Sequence, residues 1–268
     1  MRSSSLLALL LLVTLSSACG GPSPAPAAPA ARAQEPDIPP TATPTLVPPA
    51  PTATPVPLPT ATPVPVIAVP PGEIVRGNTL RPEMALTFDC GASGVPTPAI
   101  LDALLAAGVR STFFITGEWA TKYPDLTRRI GTEHEVANHS WSHPDFAKLA
   151  PALILREMQR AEEALVALTG VSTKPFWRAP FGSRDNVILQ TTRDAGWTHH
   201  IFWTADSGDW LEITPAAVRA NVSRAARNGA IIVQHCGSTQ TAAVLPQIIA
   251  DLREKGFRLV TVTELLRE

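Results

Sequence analysis

From Glu83 to the end of the chain, apolar residues fall into two alternating rhythms. Met84 to Phe88 is a run of strand length, apolar but for Thr87, whereas Ile100, Leu101, Leu104 and Leu105 share one face of a helix that Thr97-Pro98 opens and Gly108 stops. Val109 to Thr116 predicts the next strand, a helix runs on toward Ile130, and Glu135 to Ser140 predicts a third strand. Leu153, Ile154, Met158, Ala161, Leu165 and Leu168 recur at helical spacing in a long segment ended by Gly170. Phe176-Trp177, Trp197 to Thr204, Ala230 to Gln234 and Phe257 to Val262 supply further strands, and Thr214-Pro215 opens a helix that closes near Gly229. Strand alternating with helix through a whole domain implies an α/β fold built on a parallel sheet. Periodicity does not say whether that sheet closes into a barrel.

Ahead of this domain the rhythm is missing. Of the 28 prolines, 18 lie between Pro22 and Pro71, and Pro-Thr-Ala-Thr-Pro occurs at Pro40, Pro51 and Pro59. Such a segment has nothing with which to build a core and is expected to be extended, at about 3.1 Å per residue, as a stalk or spacer. Before it, Arg2, a serine run and the apolar stretch Leu6 to Leu15 lead to Leu15-Ser16-Ser17-Ala18-Cys19. The stretch is too short to span a bilayer and has the form of an export signal, and the cysteine after small residues resembles a bacterial lipoprotein signal with Cys19 as the lipidated residue. The expected organisation is a signal over 1–18, a Pro/Thr/Ala-rich linker over 19–72 and one domain over 73–268. The domain would work outside the cytoplasm, either anchored to the membrane by lipid or secreted.

With 22 basic and 23 acidic residues and a formal charge of −1, the chain has no electrostatic footprint for nucleic acid or for an anionic membrane surface. Cys90 and Cys236 are the only cysteines of the domain. Export places them where disulfides persist.

In parallel α/β folds the working residues follow the carboxyl ends of the strands. Those positions hold Asp89, His139, His143, Arg178, Asp206 and His235. His139-Ser-Trp-Ser-His143 can bring two imidazoles to one divalent ion, although such pairs are more often surface or core histidines, and Glu135 and Asp145 nearby read as solvated. A carboxylate ending an apolar strand needs a partner, and Arg178 can serve Asp89. Asp206 and His235 make a carboxylate–imidazole pair of the kind an acid or base histidine requires.

In their order along the chain these segments resemble the polysaccharide deacetylases of carbohydrate esterase family four, a domain similar to the rhizobial nodulation deacetylase, over roughly Leu80 to Leu266. Thr87-Phe88-Asp89-Cys90-Gly91 resembles the motif Thr-Phe-Asp-Asp-Gly, whose first aspartate is the catalytic base and whose second is a metal ligand. His139 to His143 matches the motif that supplies two histidine ligands. Arg178-Ala179-Pro180-Phe181 matches the segment whose arginine holds the base and whose last residue offers a backbone N–H to the oxyanion. Asp206-Ser207-Gly208-Asp209-Trp210 matches the motif in which the first aspartate orients the catalytic histidine and the tryptophan walls the acetyl pocket. Val233-Gln234-His235 stands for the segment that ends in the acid histidine.

The resemblance implies a distorted (β/α) barrel of about seven strands. It also implies a divalent ion, most simply zinc, and removal of acetyl from an N-acetylglucosamine-containing envelope polysaccharide such as peptidoglycan. A non-catalytic glycan-binding domain and an O-acetyl esterase of xylan type are the alternatives. The departure is Cys90, which stands where the metal-binding aspartate is usual. A disulfide to Cys236 ranks first, a thiolate ligand second and a defective site third.

Overall fold

The computed structural model describes residues 72–211 and 213–267. The signal, Cys19 and nearly all of the linker expected from the sequence lie outside these residues. Strand β1 (Gly72–Ile74) takes in the last position assigned to the linker and pairs with β6 (His199–Ile201). The other strands are β2 (Glu83–Cys90), β3 (Thr112–Ile115), β4 (Glu135–Asn138), β5 (Phe176–Trp177), β7 (Ala205–Asp206), β8 (Ala230–His235) and β9 (Arg258–Leu259). They form one parallel sheet in the order β1-β6-β5-β4-β3-β2-β8-β7, with β9 added beside β2. Arg76, just past β1, bridges Ala230 of β8, so the sheet curls back toward its own far side as a half-barrel. Eight strands lie on the main path, where the resemblance implied about seven.

The helices are α1 (Thr97–Ala106), α2 (Gly117–Lys122), α3 (Pro124–Glu133), α4 (Pro151–Thr169), α5 (Asn186–Asp194), α6 (Pro215–Ala225), α7 (Thr239–Glu254) and α8 (Val262–Leu265). The helix read as running toward Ile130 is two helices that meet at Tyr123-Pro124, because proline cannot donate into a continuing ladder. Gly170 ends α4 in a left-handed conformation at φ 72°, as its place in the sequence suggested. Thr97 does not cap α1 with its side chain. Its hydroxyl instead donates to the carbonyl of Cys236, 3.2 Å away.

Alternation along β2 sorts its side chains onto two faces. Met84, Leu86, Phe88 and Cys90 pack outward with Ile100 and Leu104 of α1 and Leu245 and Ile248 of α7. Ala85 points inward with Phe114, Ala137, Ile201 and Ile231, one residue from each of five strands. Asp89 shares the inward parity of Ala85, in register between Phe114 of β3 and His235 of β8. The same pleat that packs the core therefore carries the base candidate to the inner, upper end of the sheet.

Candidate active site

At the carboxyl ends of the strands a cavity of ≈ 500 Å³ is lined by Asp89, His139, His143, Phe181, Trp210 and His235, among others. Arg178 follows β5 and is wholly buried; it donates from Nη1 to Oδ1 of Asp89 at 2.6 Å. Two further donors go to backbone, Nε to the carbonyl of Ile201 (2.8 Å) and Nη2 to that of Phe202 (3.1 Å), and its central carbon lies 4.0 Å from the Phe114 ring centre. Burial works against ionising Asp89, but Arg178, together with His139 and His235, outweighs it and holds the carboxyl below its usual range.

His139 ends the run from β4. Its Nδ1 is 2.9 Å from the carbonyl of Arg178, which can only accept, so Nδ1 carries the proton and Nε2 keeps its lone pair. That Nε2 lies 3.6 Å from Oδ2 of Asp89. Burial pushes the imidazole down to about 4 against the pull of Asp89, which keeps it neutral near neutral pH. His143 stands edge-on to His139 with ring centres 4.9 Å apart, and edge-on to Phe181 at 4.7 Å. Among the described residues no three His, Cys, Asp or Glu side chains close around one point as a full cage. The donor chemistry nevertheless fits a divalent ion, since a neutral imidazole with its second nitrogen tied to a carbonyl is the state a metal-binding histidine requires, and a carboxylate oxygen faces it.

The two cysteines are joined. Cys90 and Cys236, with Cα atoms 5.0 Å apart and side chains fully buried, form a disulfide across β2 and the end of β8. Cys90 lies on the outward face of β2 among α1 and α7 residues. This removes it from the candidate metal donors, because both its orientation and its covalent partner keep the sulfur from the cavity.

A second correction concerns the orienting carboxylate. Nδ1 of His235 is bonded to Oδ1 of buried Asp209 at 2.7 Å, while Oδ2 of Asp209 accepts from the backbone N–H of His235 (2.9 Å) and from the Thr241 hydroxyl (2.6 Å). Asp206 is exposed and accepts instead from the Gly208 N–H (2.7 Å) and from Nε1 of Trp210 (3.0 Å). The sequence offered two carboxylates three positions apart and no periodic signal to choose between them. The turn at Gly208, φ 73°, swings the second one under the imidazole. Burial tends to lower the pKa of His235, but the bond to Asp209 and the charges of Asp89 and Asp206 raise it above its ordinary value.

Glu135 and Asp145 are structural rather than solvated. Glu135 is half-buried, accepting from the Thr112 hydroxyl and from the N–H at the start of α8, and desolvation raises its pKa. Asp145 takes the Ser183 hydroxyl at 2.5 Å and the Ala147 N–H at 3.1 Å, joining the histidine loop to the Phe181 turn. Phe181 itself is left-handed, φ 57°, with its side chain 72% exposed at the cavity mouth; Trp210, 63% exposed, stands at the same cavity.

A curled parallel half-barrel with a buried Asp–Arg pair, a histidine pair and an Asp-held histidine at its carboxyl end defines an α/β domain equipped for hydrolytic proton transfer. The chain belongs to the polysaccharide deacetylase family. A sequence profile described as polysaccharide deacetylase matches residues 76–200. Over 190 residues the chain is 34% identical to a peptidoglycan-N-acetylglucosamine deacetylase of Bacillus cereus, covering 69% of this chain and 68% of that one. It is 30% identical over 203 residues to YlxY of Bacillus subtilis, covering 75% of this chain, and spans 62% of YlxY's length. Among solved structures it resembles a CE4 family pseudoenzyme from Bacillus anthracis, with TM-score 0.71 and 28% identity over 75% of this chain and 70% of that one.

Proposed function

We propose that the domain hydrolyses acetyl groups from an N-acetylated polysaccharide of the cell envelope, with peptidoglycan as first substrate. The observation that carries this reading is that Asp89, His139, His143 and His235 line a single cavity while Arg178 and Asp209 brace two of them from behind. His139 and His143 would hold a divalent ion, with Oδ2 of Asp89 facing His139. Zinc suits that nitrogen-and-oxygen donor set. When bound, such an ion supplies Lewis-acid polarisation of the acetyl carbonyl and lowers the pKa of water.

The residues of the chain do the rest. Asp89, ionised by Arg178, accepts the proton of the attacking water at Oδ2, the oxygen that Arg178 leaves free. The backbone N–H of Phe181 meets the developing oxyanion, an interaction typically worth a few kcal/mol. His235, its Nδ1–H committed to Asp209, donates from Nε2 to the departing sugar amine. Trp210, fixed by Asp206, walls the acetyl methyl group.

Cys19, lipidated after export, would hold the domain at the membrane on its proline-rich stalk, within reach of the wall polymer. Acetate release from an N-acetylglucosamine polymer, measured with and without a chelator beside metal analysis of the purified protein, tests the reading. Chelator-sensitive release supports it. A metal-free, inactive protein that still binds the polymer would make the chain a glycan-binding member, a second reading favoured by the disulfide at Cys90 and by the likeness to a pseudoenzyme structure.

A further inference from the structure

The backbone between the two histidines is bent where side chains usually forbid it. Ser140 and His143 both have positive φ, 69° and 61°, and with Phe181 they are the only non-glycine residues to do so among the described residues. Such a loop keeps its shape only if its surroundings over-determine it.

Most of the holding comes from α4. The Glu157 carboxylate accepts from the backbone N–H of Trp141 (3.0 Å), from the N–H of Ser142 (2.7 Å) and from the Ser142 hydroxyl (3.1 Å). One residue along, the Met158 carbonyl accepts from Nδ2 of Asn138 (3.0 Å), whose Oδ1 accepts in turn from the Ser140 N–H (2.9 Å). One turn along, the Arg160 guanidinium lies 3.8 Å from the Trp141 ring centre. From the opposite side the N–H groups of Gly117 and Glu118 donate to the carbonyls of Ser140 and Trp141, each at 3.1 Å, and a Cβ at Gly117 would overlap the Trp141 ring.

We propose that Glu157 is a positioning residue: it fixes the Ser140–His143 turn and so aims His139 and His143 at a common ion, without touching ion or substrate. The inference rests on the reading that these histidines hold the ion. Two consecutive N–H groups converge on one carboxylate oxygen while a hydroxyl reaches the same group. An amide in its place can still accept both N–H groups on its one oxygen but gives up the negative charge that makes these bonds charge-assisted, so the turn is held more weakly. His139 is separately held by the Arg178 carbonyl at the strand end. Loosening the turn therefore moves His143 relative to His139.

The test uses the full chain as wild type and as Glu157→Gln, with zinc affinity read by competition against a chromogenic chelator and melting temperature read with and without zinc. Glu157→Gln is expected to weaken zinc binding about 10- to 100-fold, the usual effect of removing a group that orients metal ligands, and to shrink the zinc-induced rise in melting temperature. Glu157→Asp, which keeps the charge but withdraws it by one methylene, should fall between the two, and it carries the same test if Glu157→Gln does not fold. Wild-type affinity in the variants, at whatever melting temperature, would overturn the inference and leave Glu157 a purely structural anchor. A wild-type chain that binds no zinc would overturn the histidine reading, and the inference with it.

Discussion

Nδ1 of His235 lies 2.7 Å from Oδ1 of Asp209, while Asp206, three residues earlier, holds the indole of Trp210. The two carboxylates of one short motif thus serve different partners, and substitution should separate them. Asp209→Asn is expected to lower kcat by about 10²-fold or more, because the histidine loses the charge that orients and protonates it. Asp206→Asn should leave kcat near wild type and raise KM by loosening Trp210. Equal loss of kcat in both variants would sink the assignment.

The pH profile follows from the same geometry. His235 is competent as an acid only when protonated, and its pKa in the folded protein is raised above 6.5. Activity should therefore be present below that raised value and fall as pH climbs through it. The Asp89 value is lowered below 3.8, so the base remains ionised throughout that range and adds no limb above it. In Asp209→Asn the alkaline limb of kcat/KM should move to lower pH; a limb that stays in place belongs to another group.

Asp89→Asn should keep its metal, because both histidines remain, and lose turnover by about 10²–10⁴-fold, the usual cost of removing a general base. Metal content measured beside rate decides between two roles. Parallel loss of both would make Asp89 a ligand, an outcome its 3.6 Å approach to Nε2 of His139 leaves open to experiment.

The disulfide closes a loop with a sequence separation of 146. In the chain-entropy description a loop of that length is worth about 5 kcal/mol, less any strain. The double variant Cys90→Ala/Cys236→Ala should melt at lower temperature yet bind metal as wild type does. Two titratable thiols in unfolded protein taken from an oxidising envelope would contradict the bridge.

Lipid on Cys19 would make the chain partition with membranes, and Cys19→Ser should release it or leave it unprocessed. Mass analysis of the mature N-terminus checks this. A terminus within the Ala-Pro tract would favour simple secretion.

Much of this architecture was legible because burial writes itself into sequence at periods of two and 3.6. β2, β8 and α4 were visible in Met84–Phe88, Ala230–Gln234 and Leu153–Leu168. Three helices escaped notice, among them the single turn α8, which starts at Val262 where the sequence reading had a strand. Helix α5 offers only Ile188 and Thr192 as buried positions over nine residues, and α7 begins Thr-Gln-Thr and carries Pro246 in its interior. The placement of site residues was legible where it depends on a strand end, as with Asp89, Arg178 and His235. It was not where a turn decides the partner: nothing local distinguishes Asp206 from Asp209. Glu157 was out of reach too, since on the sequence it is one more polar position on an amphipathic helix.

The Asp89–Arg178 pair has one further consequence. Arg178 leaves the end of β5, takes two carbonyls at the end of β6 and just beyond it, and reaches across the interior to β2. It is a spoke across the curl of the sheet, and the carboxylate at its rim neutralises a guanidinium with no exposure to water. Removing one member of such a buried pair typically costs 3–5 kcal/mol. A descendant of this chain that stopped turning over substrate would still be held to Asp89 by the demands of folding. Within this architecture, then, an aspartate at position 89 is a record of stability as much as of chemistry, and since His235 likewise satisfies the buried Asp209, working members are better told from silent ones by His143, whose imidazole makes ring contacts but holds no buried charge.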